Sequence, residues 1–246
     1  MYDSNLYKNT DYLLSLRLRY RNLASMFFSN LSVSYSNGKR ESYFHYDYTD
    51  SLNIIRQIQG ENNYKTFIIN GMADKTFVDA GLSLKTEITY NQNSYLLSQS
   101  SELMNNKSHV LSAMVSSTFH KYKWLKLILD ATGTLFWEKN SYHDSETLSS
   151  VNANTSIYLF PFKGFEIKLK CQSLTNEISE SHYKSLTLFD ASMHYKINKT
   201  WEIGLTGTNL LNTKLYSVTQ NSGLNSYNTL LPLRGREVLV KLLLRF

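Results

Sequence analysis

The chain has 246 residues, a net charge of +6, 42 % hydrophobic and 13 % aromatic content, with 18 Tyr but only two Pro and ten Gly, so strand formers are abundant and strand breakers rare. No run of about eighteen apolar residues exists, which excludes a transmembrane helix. Lys and Arg are scattered singly, which argues against a nucleic-acid partner, and the lone Cys171 excludes an intrachain disulfide.

In chain order, alternation begins at 11–20, where Tyr12, Leu14, Leu16, Leu18 and Tyr20 oppose Ser15, Arg17 and Arg19. Side chains of a strand alternate between faces, so this pattern predicts a strand with one apolar and one polar side. After a short link at 21–25, Phe27, Leu31, Val33 and Tyr35 face Ser32, Ser34 and Ser36. A polar, aromatic stretch at 37–63 is expected to be a long loop. A mixed strand at 64–72 and a short link at 73–75 lead to 76–90, where Val78, Ala80, Leu82, Leu84, Thr86, Ile88 and Tyr90 oppose Asp79, Ser83, Lys85 and Glu87. A Ser/Asn/Gln-rich segment then runs to about 106.

Leu111, Ala113 and Val115 begin the next apolar face, and a short link at 120–123 follows. Leu125, Leu127, Leu129, Ala131, Leu135 and Trp137 oppose Lys126, Asp130, Thr132 and Thr134. Beyond a polar loop at 138–146, Val151, Ala153, Thr155, Ile157 and Leu159 form another face. The Pro-x-x-Gly stretch at 161–164 predicts a tight turn. Phe165, Ile167, Leu169 and Cys171 then oppose Glu166, Lys168, Lys170 and Gln172. A polar loop at 176–184, a strand through Phe189, Ala191, Met193, Tyr195 and Ile197, a turn at 198–200 and a strand from Trp201 complete the series, and a long loop at 209–235 precedes the last strand. There Val238, Val240, Leu242, Leu244 and Phe246 oppose Glu237, Lys241 and Arg245.

About eleven such strands, many of about ten residues, exceed the usual soluble length and match the nine to eleven residues that cross a bilayer. Short and long connections alternate strictly, as in outer-membrane barrels with short periplasmic turns and long extracellular loops. Aromatics such as Tyr12, Tyr20, Tyr35, Tyr90, Trp137, Phe165, Tyr195, Trp201 and Phe246 sit near the ends of apolar faces, where interfacial girdles belong. The expected fold is therefore all-β: an antiparallel meander of about eleven transmembrane strands in one domain spanning 1–246. Leu82, Leu84, Leu127, Leu129, Ile167, Leu169 and Cys171 are expected to face lipid. Lys85, Glu87, Lys126, Asp130, Lys168, Lys170, Lys241 and Arg245 are expected to line a lumen.

With the short turns periplasmic, the first and last strands run the same way, so they cannot close an antiparallel barrel. Single-chain bacterial barrels have even strand counts, and eleven is half of the 22 strands of plugged transporters. The opening MYDSNLYKNT has no basic n-region and no apolar h-region. Both points lead to the expectation of a C-terminal portion of a longer precursor.

The stretch GTNLLNTKLYS, followed by LPLRGREVLVKLLLRF, resembles the C-terminal end of TonB-dependent outer-membrane receptors, especially the Bacteroidota type, through Asn209, Leu210, Asn212, Pro232, Gly235, Arg236 and Phe246. The resemblance implies a receptor barrel in the bacterial outer membrane that takes up a solute. It also implies an N-terminal barrel half and a plug, neither of which is recognisable here, and the outer-membrane assembly machinery as a partner. In that family the final strand is read during assembly, which makes Phe246, Leu244, Leu242 and Val240 the candidate assembly signal. A surface lipoprotein is a further candidate partner. Two alternatives stay open: a barrel that binds a partner through its long loops without transport, and a small porin or barrel enzyme.

No cofactor and no enzymatic activity are expected. The six His show no metal-type spacing and are expected mostly in or near loops. His143, Asp144 and Ser145 are adjacent in sequence, which does not make a triad.

Overall fold

The computed structural model describes residues 9–48, 53–99, 102–140, 147–179, 182–222 and 225–244. They form thirteen strands: β1 (Asn9–Asn22), β2 (Phe27–Tyr48), β3 (Asn53–Phe77), β4 (Leu82–Gln99), β5 (Glu102–Tyr122), β6 (Leu125–Lys139), β7 (Thr147–Leu159), β8 (Phe165–Ser179), β9 (His182–Lys196), β10 (Trp201–Thr208), β11 (Leu215–Ser222), β12 (Asn225–Pro232) and β13 (Glu237–Leu244). Eleven of them make one sheet in the order β1 to β10 and then β13, with β11 and β12 forming a separate hairpin. The ten neighbour pairings along that order are antiparallel. The sheet is open, with β1 and β13 at its edges. No helix of the described residues is long and apolar enough to cross a membrane, which leaves crossing by strands untouched.

Directly opposed residues of paired strands point to the same face, so the register tests whether eleven local alternations join into two continuous surfaces. They do. Leu16 pairs with Val33, Val33 with Ile69, Ile69 with Tyr90, Tyr90 with Leu111, Leu111 with Leu135, and the line continues through Leu169, Ala191, Leu205 and Val240 on strands further along. The opposite surface runs from Arg17 and Ser32 through Asn70, Thr89, Ser112, Thr134 and Ser150 to Asn176. Among the described residues neither surface carries a second layer: only Leu97 and Met104 are buried hydrophobics, whereas Leu14 is 74 % and Val240 77 % exposed.

Tight turns at 23–26, 78–81, 123–124, 160–164 and 197–200 join the strands at one end. Gly81 and Gly164 sit at φ +61° and +83°; Gly81 N–H closes its turn onto Val78 O at 3.0 Å, and the two carbonyls tie each turn to the next strand over, accepting from His120 N–H of β5 and Lys196 N–H of β9 at 2.7 Å each. Four of these turns lie where composition placed them. The fifth does not: 73–75 belongs to β3, and the chain turns at 78–81 instead. Val78 and Ala80 keep the parity of the following strand, so the alternation runs through the turn unbroken.

At the other end the expected long loops are mostly strand. The stretch 37–63 is the distal half of the β2–β3 hairpin, 91–106 that of β4–β5, and 176–184 that of β8–β9. The 209–235 loop contains the β11–β12 hairpin. These segments mix polar with aromatic and aliphatic residues on both faces, which removes the alternation but not the backbone ladder that makes a strand.

Candidate functional site

Three parts of the molecule bring chemistry together: the folded tip of the β2–β3 hairpin, the clasp ahead of β13, and the polar face of the sheet. The tip is where most burial occurs. A register shift between Arg40 and Ser42 re-aims β2, and its segment Phe44–Tyr46 then runs parallel to Leu97–Gln99 of β4. Asn62 fills the gap where β3 leaves β4. Its Nδ2 donates to Leu96 O at 3.2 Å and its Oδ1 accepts from Leu96 N–H at 2.9 Å, so one side chain replaces a ladder step.

Inside this fold His45 is buried between two partners. Nδ1 lies 3.0 Å from Ser98 Oγ and Nε2 lies 3.0 Å from Asp47 Oδ1. Arg56 approaches the other Asp47 oxygen at 4.0 Å. A hydroxyl, an imidazole and a carboxylate in line resemble a nucleophile relay, but a nucleophile must meet a substrate carbonyl. Ser98 is only 4 % exposed. The line is a fastening between β2 and β4. It also corrects the expectation that the histidines sit in loops: His45, His109, His120, His182 and His194 all lie in strands, and the His143–Asp144–Ser145 run falls outside the described residues.

Beside the tip, fully buried Asn106 donates to the Tyr95 hydroxyl at 2.9 Å and to the Glu138 carboxylate. Burial raises the pKa of Glu138, with the Asn106 bond opposing, and burial followed by the Glu138 charge raises that of Tyr95.

The clasp gathers the residues that carry the family resemblance. Asn209 and Asn212 adopt φ +49° and +57°, a left-handed conformation that Asn tolerates. The Asn209 amide donates to Thr213 O at 2.8 Å and to Arg234 O at 2.7 Å, and accepts from Thr213 N–H at 2.9 Å. Its backbone N–H donates to Asp190 Oδ1 at 2.8 Å. Asn212 Oδ1 accepts from Arg236 N–H at 3.2 Å. Leu210 lies against Gly207, where an added Cβ would meet its Cδ2 at 2.8 Å. Gly235 leaves room for Asn212, whose Oδ1 stands 3.2 Å from the position of an added Cβ. Pro232 ends β12 opposite Leu215. The motif therefore ties the exit of β10 to the start of β13.

β13 pairs with β10 along one side only, from Trp201–Leu244 to Thr208–Glu237. Val240, Leu242 and Leu244 share its apolar face and remain exposed, whereas Phe246 and Arg245 fall outside the described residues.

On the polar face the register places Lys85, Glu87, Lys126, Asp130, Lys168, Lys170 and Lys241 together, opposite Leu82, Leu84, Leu127, Leu129, Ile167, Leu169 and Cys171. Lys126 and Lys168 bracket the Tyr158 ring at 5.7 and 5.1 Å from its centroid. Lys85 pairs with Glu87 at 3.8 Å, Asn70 donates to Glu87 at 3.0 Å, and Ser116 donates to Asp130. Glu87 and Asp130 thus have polar partners on this face, and Lys85, Lys126 and Lys168 have a charged or aromatic one.

Two aromatic rows bound the apolar face. At the turn end Tyr20 meets Phe27, Phe162 meets Phe165 and Phe165 meets Tyr195, at 6.1, 4.9 and 5.8 Å between ring centroids. At the tip end Phe67, Tyr90, His109 and Trp137 form a chain, with His109 and Trp137 stacked at 5.0 Å. Phe119 and His109 are ten residues apart on β5, about 33 Å along the strand.

No protein-family model matches the chain, and no curated protein matches it either.

Proposed function

We propose that the chain is a wall portion of a TonB-dependent type receptor barrel in the bacterial outer membrane, serving uptake of a solute. The observation that carries this reading is the uncovered apolar face. It runs across eleven strands between two aromatic rows, and the described residues bury almost no apolar core. Water-soluble monomers rarely expose an apolar patch above a few hundred Å². Lipid is the cover that fits a surface of this height and composition, and a water-filled lumen fits the opposite face.

The resemblance around Asn209–Arg236 supports the receptor kind. β1 and β13 both run from the tip end to the turn end, as their pairings with β2 and β10 require. An antiparallel closure then needs a partner sheet with an odd number of strands, supplied by an N-terminal barrel half, with a plug inside. β13 offers its free side to the assembly machinery, with Val240, Leu242, Leu244 and Phe246 as the side chains read. A second reading, a surface barrel that binds a partner such as a surface lipoprotein without transport, is favoured by the ordered β2–β3 tip.

The test is fractionation of cells producing the chain in its native genetic setting. The expected result is recovery with outer membranes after alkaline washing, with the tip hairpins open to protease on whole cells and the 78–81 turn protected. Recovery in the soluble fraction as a folded monomer would overturn the membrane reading. Loss of uptake of every tested solute on disruption of the plug, with partner capture retained, separates transport from docking.

A further inference from the structure

Lysines stand in a row on the lipid-facing side, immediately beyond the tip-end aromatic belt. Lys65 of β3 is opposed by Ser94 of β4, Ser94 by Lys107 of β5, and Lys107 by Lys139 of β6. All four therefore share one face, and all three lysines are exposed. Lys107 and Lys139 are direct cross-strand neighbours, a like-charge arrangement that destabilises a sheet unless an anion lies between or beside them. Among the described residues none of the three makes an ion pair, whereas Lys39, on the same face one row further out, is matched by Glu61 at 2.5 Å. Neighbours on the same face, including Asn63, Gln92, Asn105 and Trp137, are neutral.

A groove of about 450 Å³ opens between Lys65 and Lys107, with Tyr35 and Phe67 as its lower wall and Ser94 and Asn105 at its side. Its upper end is cationic and hydroxyl-bearing. Its lower end leads onto the apolar face through Ile69, Ile88, Leu111 and Leu135. A ligand that matches both ends has a phosphate head and hydrocarbon tails lying along the strands. We propose that Lys65, Lys107 and Lys139 form a binding site for the phosphate head of a membrane lipid in the leaflet at the tip end, which holds that lipid against the wall. The proposal rests on the membrane reading above.

The test uses the full chain extracted from its membrane in mild detergent, titrated with phosphatidic acid and, separately, with phosphatidylcholine, with bound lipid counted by native mass spectrometry. Wild type binds phosphatidic acid in preference. Each Lys→Gln exchange among the three weakens that binding about fivefold, since a basic residue near an anionic surface contributes about that factor. The triple exchange abolishes the preference, Lys107→Arg retains it, and Lys121→Gln with Lys123→Gln at the turn end leaves it unchanged. Glycerol 3-phosphate at millimolar concentration does not displace the lipid. A triple variant that is membrane-inserted and keeps the wild-type preference overturns the site, and so does full displacement by glycerol 3-phosphate, which would make it a site for a soluble anion. Absence of the wild-type chain from membranes overturns the membrane reading and this proposal together. A membrane-inserted chain without a lysine-dependent preference removes this proposal alone.

Discussion

Replacing Asn209 separates two contributions at one position. Asn209→Ala removes three side-chain hydrogen bonds, to Thr213 N–H, Thr213 O and Arg234 O, and leaves a residue with a Cβ at φ +49° without the side chain that made the conformation tolerable. A net loss of about 0.5–1.5 kcal/mol per bond is typical. Asn209 is 9 % exposed, so its own site is dry, but the Arg234 side is exposed and water replaces part of that bond. The hydrogen-bond part then sums to about 2–3 kcal/mol. Asn209→Gly loses the same bonds but relieves the left-handed cost, about 1 kcal/mol. The expected order is wild type, then Gly about 2–3 kcal/mol below it, then Ala about 1 kcal/mol lower still. Urea unfolding of the membrane-inserted protein measures the difference. Amide exchange locates it, with faster exchange at Glu237–Leu239 and unchanged rates in β5–β8. A glycine variant within 0.5 kcal/mol of wild type, or loss of protection spread evenly over the sheet, refutes the clasp as the device that seats β13.

Leu129→Arg, midway along the apolar face of β6, is expected to cost about 2–4 kcal/mol in a bilayer-folding assay, while Thr132→Arg on the opposite face costs little; equal costs on both faces would sink the two-surface assignment. Asn62→Ala removes both bonds to Leu96 and should raise amide exchange through 42–58 without affecting β6–β10; an unchanged tip would show that the His45 fastening suffices alone. Glu138 lies one residue beyond the Trp137 belt, and its pKa is raised by burial, so the folded tip binds its proton more tightly than the unfolded chain does. The stabilisation is full below the ordinary carboxylate range and is lost as pH rises through the raised value, so Glu138→Gln should flatten the pH dependence of tip exchange above the ordinary carboxylate range; an unaltered slope would assign it elsewhere. Phe246→Ala should slow insertion in cells while leaving refolding into detergent nearly unchanged, and a normal cellular rate would exclude an assembly role.

The parts of the fold legible in the sequence are those where one face must differ from the other. β1, β4 and β6–β9 read as strands from single alternations such as Leu125, Leu127 and Leu129 against Lys126 and Asp130, because one apolar and one polar face impose period two. Beyond the aromatic belt polar and apolar residues are mixed on both faces of the hairpin, so 37–63 carries no alternation and composition suggests a loop. Its aromatic run, Tyr43, Phe44, Tyr46 and Tyr48, was a β-propensity signal that polar neighbours masked. The 78–81 turn was hidden by coincident parity, although Asp79 and Gly81 together are turn chemistry. The His45–Ser98 contact joins residues 53 positions apart through a strand exchange at the tip, and no local spacing encodes it. Asn209, Asn212 and Gly235 stood out in the sequence only through a resemblance, and their work as a hydrogen-bonded clasp depends on backbone groups that sequence does not name.

The direction of the two edge strands constrains what could extend this sheet. Each antiparallel step reverses direction, and ten steps separate β1 from β13, so the two edges run alike. A second copy related by rotation about the membrane normal presents the same downward edge to β13, and the seam would be parallel. Parallel seams lack the closely spaced hydrogen-bonded pairs of an antiparallel ladder and are slightly weaker per residue. A partner with an odd number of strands gives two antiparallel seams and an even total, which bacterial barrels have. The edges are built accordingly. β1 presents Leu14, Leu16 and Leu18, and β13 presents Val240 and Leu242, on the same apolar face as the interior strands. Neither carries the proline or inward-pointing charge with which soluble sheets blunt a terminal strand on that face. The band of apolar side chains runs up to both edges, so a partner that extended the ladder would extend the apolar face in register with it.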